Sequence, residues 1–535
     1  MKNLKLVFLV GGVVGMVACG GSESTSSSSG GNSGQSSGGS SGSGGSTGSG
    51  GHSSSGGSSG SGGATGSGGH PSSGGSSGSG GATGSGGSAS GGATGSGGAT
   101  GSGGMATGSG GKGSGGAAGG AVGSGGATGS GNAGGGMASS GGSTGAAGSG
   151  GGMQHWVGTW TASPYYDTNS SNAPPVSLSN TVIRQIAHVS LGGNQVRVQF
   201  SNLHSNGSLE IKSAHIAVSG SNLVADSTID MSTDKALAFS GMANVTLAQG
   251  KEVWSDPISF NLAALSNLTI TTAFGSVPSQ ITSHSGSRTT SYIKSGTDVT
   301  PASLTGSGVT TVEHWYTISG VDVMADPAAR GIVAIGDSIT DGRGTDTDHN
   351  NRWTDVLASR LQMNDATKNV SVMNQGIGAT KLVGSDPTTA QSRFSRDVLG
   401  QSGVRYVIVF DGVNDIGGGA SADALKAEYK MLIDMAHAKN LVIYGATITP
   451  FGADKDYASY DSVRVQVNQY IKTGGANGAS PFDGVIDFDM AVTDGGSPAK
   501  LQEMYAMWSM EDGLHPSPAG YLKMGDTPDL TLFTR

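Results

Sequence analysis

Gly331-Ile332-Val333-Ala334-Ile335-Gly336-Asp337-Ser338-Ile339-Thr340 is the stretch whose reading decides the fold. Ile332 to Ile335 form a short apolar run, the mark of a buried strand. Gly336 ends the run. Asp337 and Ser338 follow where a strand of an open α/β sheet releases its chain into a crevice. Ligands bind at that carboxyl edge of such sheets. Ser338 is therefore a candidate nucleophile, and the flanking sequence is read for the partners it needs.

Downstream, strand and helix patterns alternate. Residues 331–335, 371–373, 404–410, 441–446 and 484–488 read as strands. Residues 353–361, 422–439 and 460–471 read as helices, and Leu425, Tyr429, Leu432 and Met435 share one face of the second. Apolar strands alternating with helices predict a parallel sheet covered on both faces. Polar clusters sit just beyond the strands. Asn374-Gln375-Gly376-Ile377-Gly378-Ala379 follows the second strand, and Asp411-Gly412-Val413-Asn414-Asp415 the third. Asp512-Gly513-Leu514-His515-Pro516 lies on a late loop, before a helix expected to open at Ser517-Pro518.

A serine hydroxyl is a weak nucleophile until a base takes its proton. His515 is the candidate base. Asp512, three residues earlier, can hold the imidazole tautomer and stabilise its charged form. A tetrahedral intermediate also needs donors at its oxyanion. The N–H of Ser338, an amide of the Gly378-Ala379 turn and the side chain of Asn414 are the candidates.

From about residue 330 to the end, these blocks resemble the SGNH hydrolases, or GDSL esterase/lipase superfamily. The resemblance rests on Gly336-Asp337-Ser338-Ile339-Thr340, Gly412-Val413-Asn414-Asp415 and Asp512-Gly513-Leu514-His515-Pro516. It implies Ser338 as nucleophile, His515 as base, Asp512 as its partner and Asn414 as oxyanion donor. It further implies a flavodoxin-like sheet of five strands in the order 2-1-3-4-5. Two positions depart from the family pattern. Ala379, preceded by Gly378, stands where the family's second block has its oxyanion Gly; a backbone N–H serves there, so either residue can supply it. Val413 replaces a common Gln. Thr340 excludes the G-x-S-x-G elbow of α/β-hydrolases, so Ser338 is expected on a looser turn, in a shallow site open to bulky esters. No cofactor is expected, and no ligand spacing suggests a metal.

Residues 153–328 carry strand signals instead. Val196, Val198 and Phe200 alternate with Arg197 and Gln199. Gly192-Gly193-Asn194, between this run and 181–191, reads as a hairpin turn. A β-sandwich or jelly-roll is the natural reading. Its role is either to support residues 329–535 or to touch ligand. His284 and Arg288, in a very polar stretch, either line a substrate cleft or belong to a solvated loop. Trp156-Val157-Gly158-Thr159-Trp160 and His314-Trp315-Tyr316 look like landmarks of an SGNH subgroup with an N-terminal β-rich domain. Its members are described as arylesterases or acylhydrolases. Family-two carbohydrate esterases, which deacetylate xylan-type polymers, have a similar layout.

The chain has 535 residues, 100 of them Gly, most before residue 153. Lys2 and Lys5, an apolar stretch from Leu6 to Val17, and Met16-Val17-Ala18-Cys19 have the layout of an export signal. The last four residues resemble the lipobox of bacterial lipoproteins, which implies residues 1–19 as signal peptide and lipidation of the lone cysteine, Cys19. Gly20, rather than Asp, after it points to the outer membrane or cell surface. Residues 20–152 are almost entirely Gly, Ser, Ala and Thr and cannot bury enough apolar surface to fold. As a Gly-rich coil they would reach roughly 60–70 Å.

The chain's net charge is −9, with three basic residues and one acidic residue before Met153, so the remainder carries −11. That balance argues against nucleic acid as partner. The sum of these readings is an exported, lipid-anchored serine esterase acting on short acyl esters, foremost acetyl groups on a polysaccharide. The alternatives are a lipase or arylesterase, and a non-catalytic surface binding protein.

Overall fold

The computed structural model describes residues 153–221, 226–507 and 512–535. Cys19, the signal segment and the linker lie outside them. Contacts gather the described residues into one unit.

Its first half is antiparallel. The longer strands are β1 (His155–Thr161), β2 (Thr181–His188), β3 (Gly193–Ser201) and β4 (Leu209–Val218). The short β5 (Lys235–Ala236), β6 (Val245–Leu247) and β7 (Glu252–Trp254) come next, then β8 (Ile258–Leu262), β9 (Asn267–Phe274) and β10 (Ser283–His284). They are followed by β11 (Ser291–Ser295), β12 (Val309–Val312), β13 (Trp315–Tyr316) and β14 (Ile318–Ala325). One sheet has the order β1-β14-β3-β7, with β8 also on β3; the other runs β12-β11-β2-β9-β4-β5, with β6 on β4. β10 and β13 form a separate pair. Val196, Val198 and Phe200 of β3 are buried in alternation and share a core with Ile183, Ile211 and Ile270 of the facing sheet. The expected sandwich is therefore present.

The expected hairpin is not. β2 pairs β9 and β11, whereas β3 pairs β14, β7 and β8 in the other sheet. Gly192 and Gly193 make a corner between layers. A Cβ on Gly192 would lie 2.6 Å from the Leu262 carbonyl oxygen, and one on Gly193 2.7 Å from that of Met324. A glycine turn between two apolar runs signals a sharp change of direction. Which sheet receives the next strand depends on long-range pairing.

The second half is a parallel sheet with the order β16-β15-β17-β18-β19. Its strands are β15 (Arg330–Gly336), β16 (Val370–Gly376), β17 (Val404–Phe410), β18 (Val442–Ala446) and β19 (Gly484–Ile486). Counted within this half, that is 2-1-3-4-5. The last strand stops at Ile486, because Asp487 caps a short helix that begins at Phe488. Successive residues of β15 point to opposite faces. Val333 and Ile335 meet Leu425, Tyr429 and Val467; Ile332 and Ala334 meet Trp353, Leu357 and Tyr521. Helices therefore cover both faces, which is why the run could be continuously apolar.

The two halves join along β16, the edge strand. The Val372 N–H donates to Ser190 Oγ (2.9 Å), and Ser190 Oγ donates to the Val372 carbonyl (3.0 Å). Thr161 Oγ1 donates to the Asn374 carbonyl (3.0 Å), and Ser371 Oγ to that of Gly158 (2.7 Å). The antiparallel half thus satisfies backbone groups that an open sheet edge would expose.

Candidate active site

The site gathers where β15, β16 and β17 end. Ser338 is the first residue of a single-turn helix, α1 (Ser338–Asp341), capped by Asp337, whose Oδ1 accepts the Ile339 N–H (2.9 Å). The cap turns the chain directly off β15, so the serine faces the crevice. Ser338 Oγ lies 2.7 Å from His515 Nε2. His515 Nδ1 lies 2.7 Å from Asp512 Oδ2 and 3.0 Å from Oδ1. The carboxylate can only accept, so Nδ1 carries the proton and Nε2 is left to accept from the serine hydroxyl. Burial opposes ionisation of Asp512. The hydrogen bond and charge of His515, with the amides of His515 and Leu514, nonetheless hold its carboxyl well below the usual carboxylate range. Ser338 and His515 are each 6% exposed.

Asn414 lies in the short α2 (Val413–Gly417), after β17. Its Oδ1 accepts from the Tyr457 hydroxyl (3.2 Å), and its Nδ2 donates to the Thr380 carbonyl (2.9 Å). This orients the amide and leaves the second Nδ2 proton free. Among the described residues, no group accepts the amide N–H of Ser338, Gly378 or Ala379. The second block is fixed from below: Asp415 takes the Leu382 and Val383 N–H groups at 2.8 and 2.7 Å. Ala379 has φ 61°, a left-handed conformation that costs a residue with a Cβ roughly 1–2 kcal/mol.

Sequence reasoning missed the layer beneath. Arg393 is buried, and its guanidinium donates to the carbonyls of Gly336 and Gln375, the ends of β15 and β16. It also bonds Ser163 of the antiparallel half (3.0 Å) and pairs with Asp397 (3.2 Å). No motif announces it; a lone arginine on a short helix reads as a surface residue. Asp337, Asp411 and Asp415 form a buried acidic group behind the serine. Burial first, then the charges of Asp415 and Asp341, push the Asp337 carboxyl up to about 7. Burial and the nearby Asp337 raise Asp411 well above its ordinary value.

His284 neither lines the cleft nor belongs to a solvated loop, which corrects both of its sequence readings. It is buried, with Nδ1 2.9 Å from the Ser163 carbonyl and Nε2 2.9 Å from Asp341 Oδ1. It braces the end of α1, and its polar neighbourhood is an interface between halves. Arg288 does line the cleft, which holds about 1160 Å³ and also exposes Ser338, His515 and Asn414. One wall comes from the antiparallel half through Tyr165, Asn172, Ser285 and His314. Among the described residues, Leu514 and Ala379 are the cleft's aliphatic side chains. Among the described residues, no cluster of three or more His, Cys, Asp or Glu is placed to hold a metal ion.

The profile of the GDSL-like Lipase/Acylhydrolase family matches residues 334–523. No curated protein matches. Among solved structures, the chain is 21% identical to a member of the lipolytic protein G-D-S-L family from Veillonella parvula, over 39% of this chain and 100% of that one, at a TM-score of 0.26. It is 19% identical to an acetylxylan esterase from Geobacillus stearothermophilus, over 38% of this chain and 94% of that one, at a TM-score of 0.29. Those likenesses are too low to carry an argument; the family match covers the segment in which Ser338, Asn414, Asp512 and His515 converge. Residues 334–523 are a GDSL-like lipase/acylhydrolase domain, and the chain that carries it is an ester hydrolase.

Proposed function

We propose that the chain is a serine esterase that removes short acyl groups, foremost acetyl, from a polysaccharide. The observation that carries this is the unbroken hydrogen-bonded line Ser338–His515–Asp512 on the floor of a wide, polar cleft. Ser338 Oγ attacks the acyl carbonyl while His515 Nε2 takes its proton. Asp512 stabilises the imidazolium, and the alcohol leaves with that proton. Water then attacks the acyl-enzyme, giving its proton to His515, and the acid departs as Ser338 is reprotonated. The oxyanion is met by the Ser338 amide, a Gly378 or Ala379 amide and the free Nδ2 proton of Asn414.

The lining supports the substrate class. Among the described residues, two aliphatic side chains offer little surface to a long acyl chain, whereas tyrosines, amides and charged groups suit hydroxyl-rich alcohols. The sequence pattern at Cys19 supports a lipid anchor, with residues 20–152 as a tether to the cell envelope. Substitution of Cys19 by Ser should then release the protein from the membrane fraction.

The purified chain should hydrolyse p-nitrophenyl acetate and release acetate from acetylated xylan or pectin faster than it cleaves long-chain esters. The reverse preference would make it a lipase. Inactivity on a broad ester panel would leave only a binding role.

A further inference from the structure

Among the described residues, the cleft is lined by two arginines; Arg343 lies 3.8 Å from Asp512, whereas Arg288 is left unused by the mechanism. Its backbone has φ 48°, a left-handed conformation uncommon for a residue with a long side chain. The surrounding structure imposes it. Arg352 of the other half donates to the carbonyls of Gly286 and Ser287, just before Arg288. The Asp348 N–H donates to the Arg288 carbonyl (2.9 Å), and the Asp348 carboxylate takes the Thr290 N–H (2.6 Å). The loop is clamped on both sides of the strained residue. Glycine would hold that turn without cost, so the turn alone gives no reason for an arginine there. Strain maintained in this way points to the side chain as the useful part.

That side chain has no partner among the described residues. Among the described residues no carboxylate or carbonyl accepts from its guanidinium, and its Nε is buried without a hydrogen bond. The cleft's carboxylates are engaged elsewhere. Asp167 accepts from Ser285 and Asn172, Asp341 from His284, Glu313 from Thr347, Asp454 from the N–H groups of Asp456 and Tyr457, and Asp512 from His515. A partly buried guanidinium presents a planar fork of donors, and the acceptor that fits it best is a carboxylate held at two points.

We infer that Arg288 receives a carboxylate on the alcohol side of the substrate, so that the preferred esters sit on an acidic, uronate-bearing polysaccharide. This deepens the polysaccharide reading and rests on it. The antiparallel half then supplies specificity, reading the sugar next to the ester, while the parallel sheet supplies the chemistry.

The test compares kcat/KM of the full chain on an acetylated oligogalacturonide and on a neutral acetylated xylo-oligosaccharide. The wild type should prefer the uronate, and added salt should weaken that preference. Arg288→Asn, which tolerates the left-handed backbone, should cut the uronate-to-neutral ratio by about 10–100-fold, chiefly through KM. Arg288→Lys, which keeps the charge and loses the fork, should fall between. An unfolding midpoint matching the wild type would show that the variants fold. Hydrolysis of both substrates without preference overturns the inference, as does an equal loss on both in Arg288→Asn. Activity on p-nitrophenyl acetate with none on either saccharide would instead overturn the polysaccharide reading itself.

Discussion

The floor and the wall of the cleft come from different halves and are built on different terms. The floor belongs to the parallel sheet. Its residues follow strand ends and come in short local blocks, so Ser338 and His515 meet although 177 positions apart. The wall belongs to the antiparallel half, where Tyr165, the pair Ser285 and Arg288, and His314 come from three separate loops. The difference teaches that the floor is set by the topology of one sheet, whereas the wall depends on how one half is seated on the other. Arg393, Arg352 and His284 hold that seat, each bonded across the join.

The comparison is broken most sharply by removing the floor. Ser338→Ala or His515→Ala should lower turnover of p-nitrophenyl acetate by a factor on the order of 10⁶, and Asp512→Asn by about 10⁴. Steady-state kinetics at matched folding would show it. Removing the seat should act on stability. Arg393→Ala leaves Asp397 buried with one partner fewer and frees the ends of β15 and β16. It should cost about 3 kcal/mol in denaturant unfolding and lower activity on every ester alike. A loss confined to large substrates would place Arg393 with the wall instead. Asn414→Ala should reduce kcat by about 100- to 1,000-fold with little change in KM, because it removes one oxyanion donor.

Smaller effects test the buried acids and the strained turn. The Asp337 carboxyl is raised from 3.8 to about 7 in the folded chain. The folded state therefore holds a proton that the unfolded chain releases. That stability is full at about pH 4 and is lost as pH rises towards 7. Asp512 has the opposite sign: its stability is present above the ordinary carboxylate pKa and is lost as pH falls below it. Unfolding midpoints from pH 4 to 7 should decline in the wild type and decline less in Asp337→Asn, which keeps the helix cap. The smallest expected change is at the second block. Ala379→Gly removes a Cβ from a left-handed turn and should stabilise the protein by about 1 kcal/mol.

The floor was legible in the sequence because its signals are local. A buried strand is an apolar run, the residues just beyond it carry the chemistry, and an Asp and a His on one loop declare their pairing. The sandwich was legible from the alternation in Val196, Val198 and Phe200. The Gly192–Gly193 corner was misread as a hairpin because a turn does not state which sheet the next strand joins. His284 was given a place at the surface because a polar stretch looks the same whether it faces water or another polar surface.

The sequence by itself determined the parallel sheet, the order of its blocks and the choice of Ser338, Asn414, Asp512 and His515 as candidates. These follow from periodicity and from the chemical scarcity of groups that can do such work. Only the tertiary structure decided that β16 is sealed by Ser190 and Thr161, that Arg393 ties two strand ends together, and that Arg288 has no partner among the described residues of the cleft. Those facts depend on pairings between residues far apart in the chain. A hydrogen bond between distant residues leaves no periodic trace in the sequence.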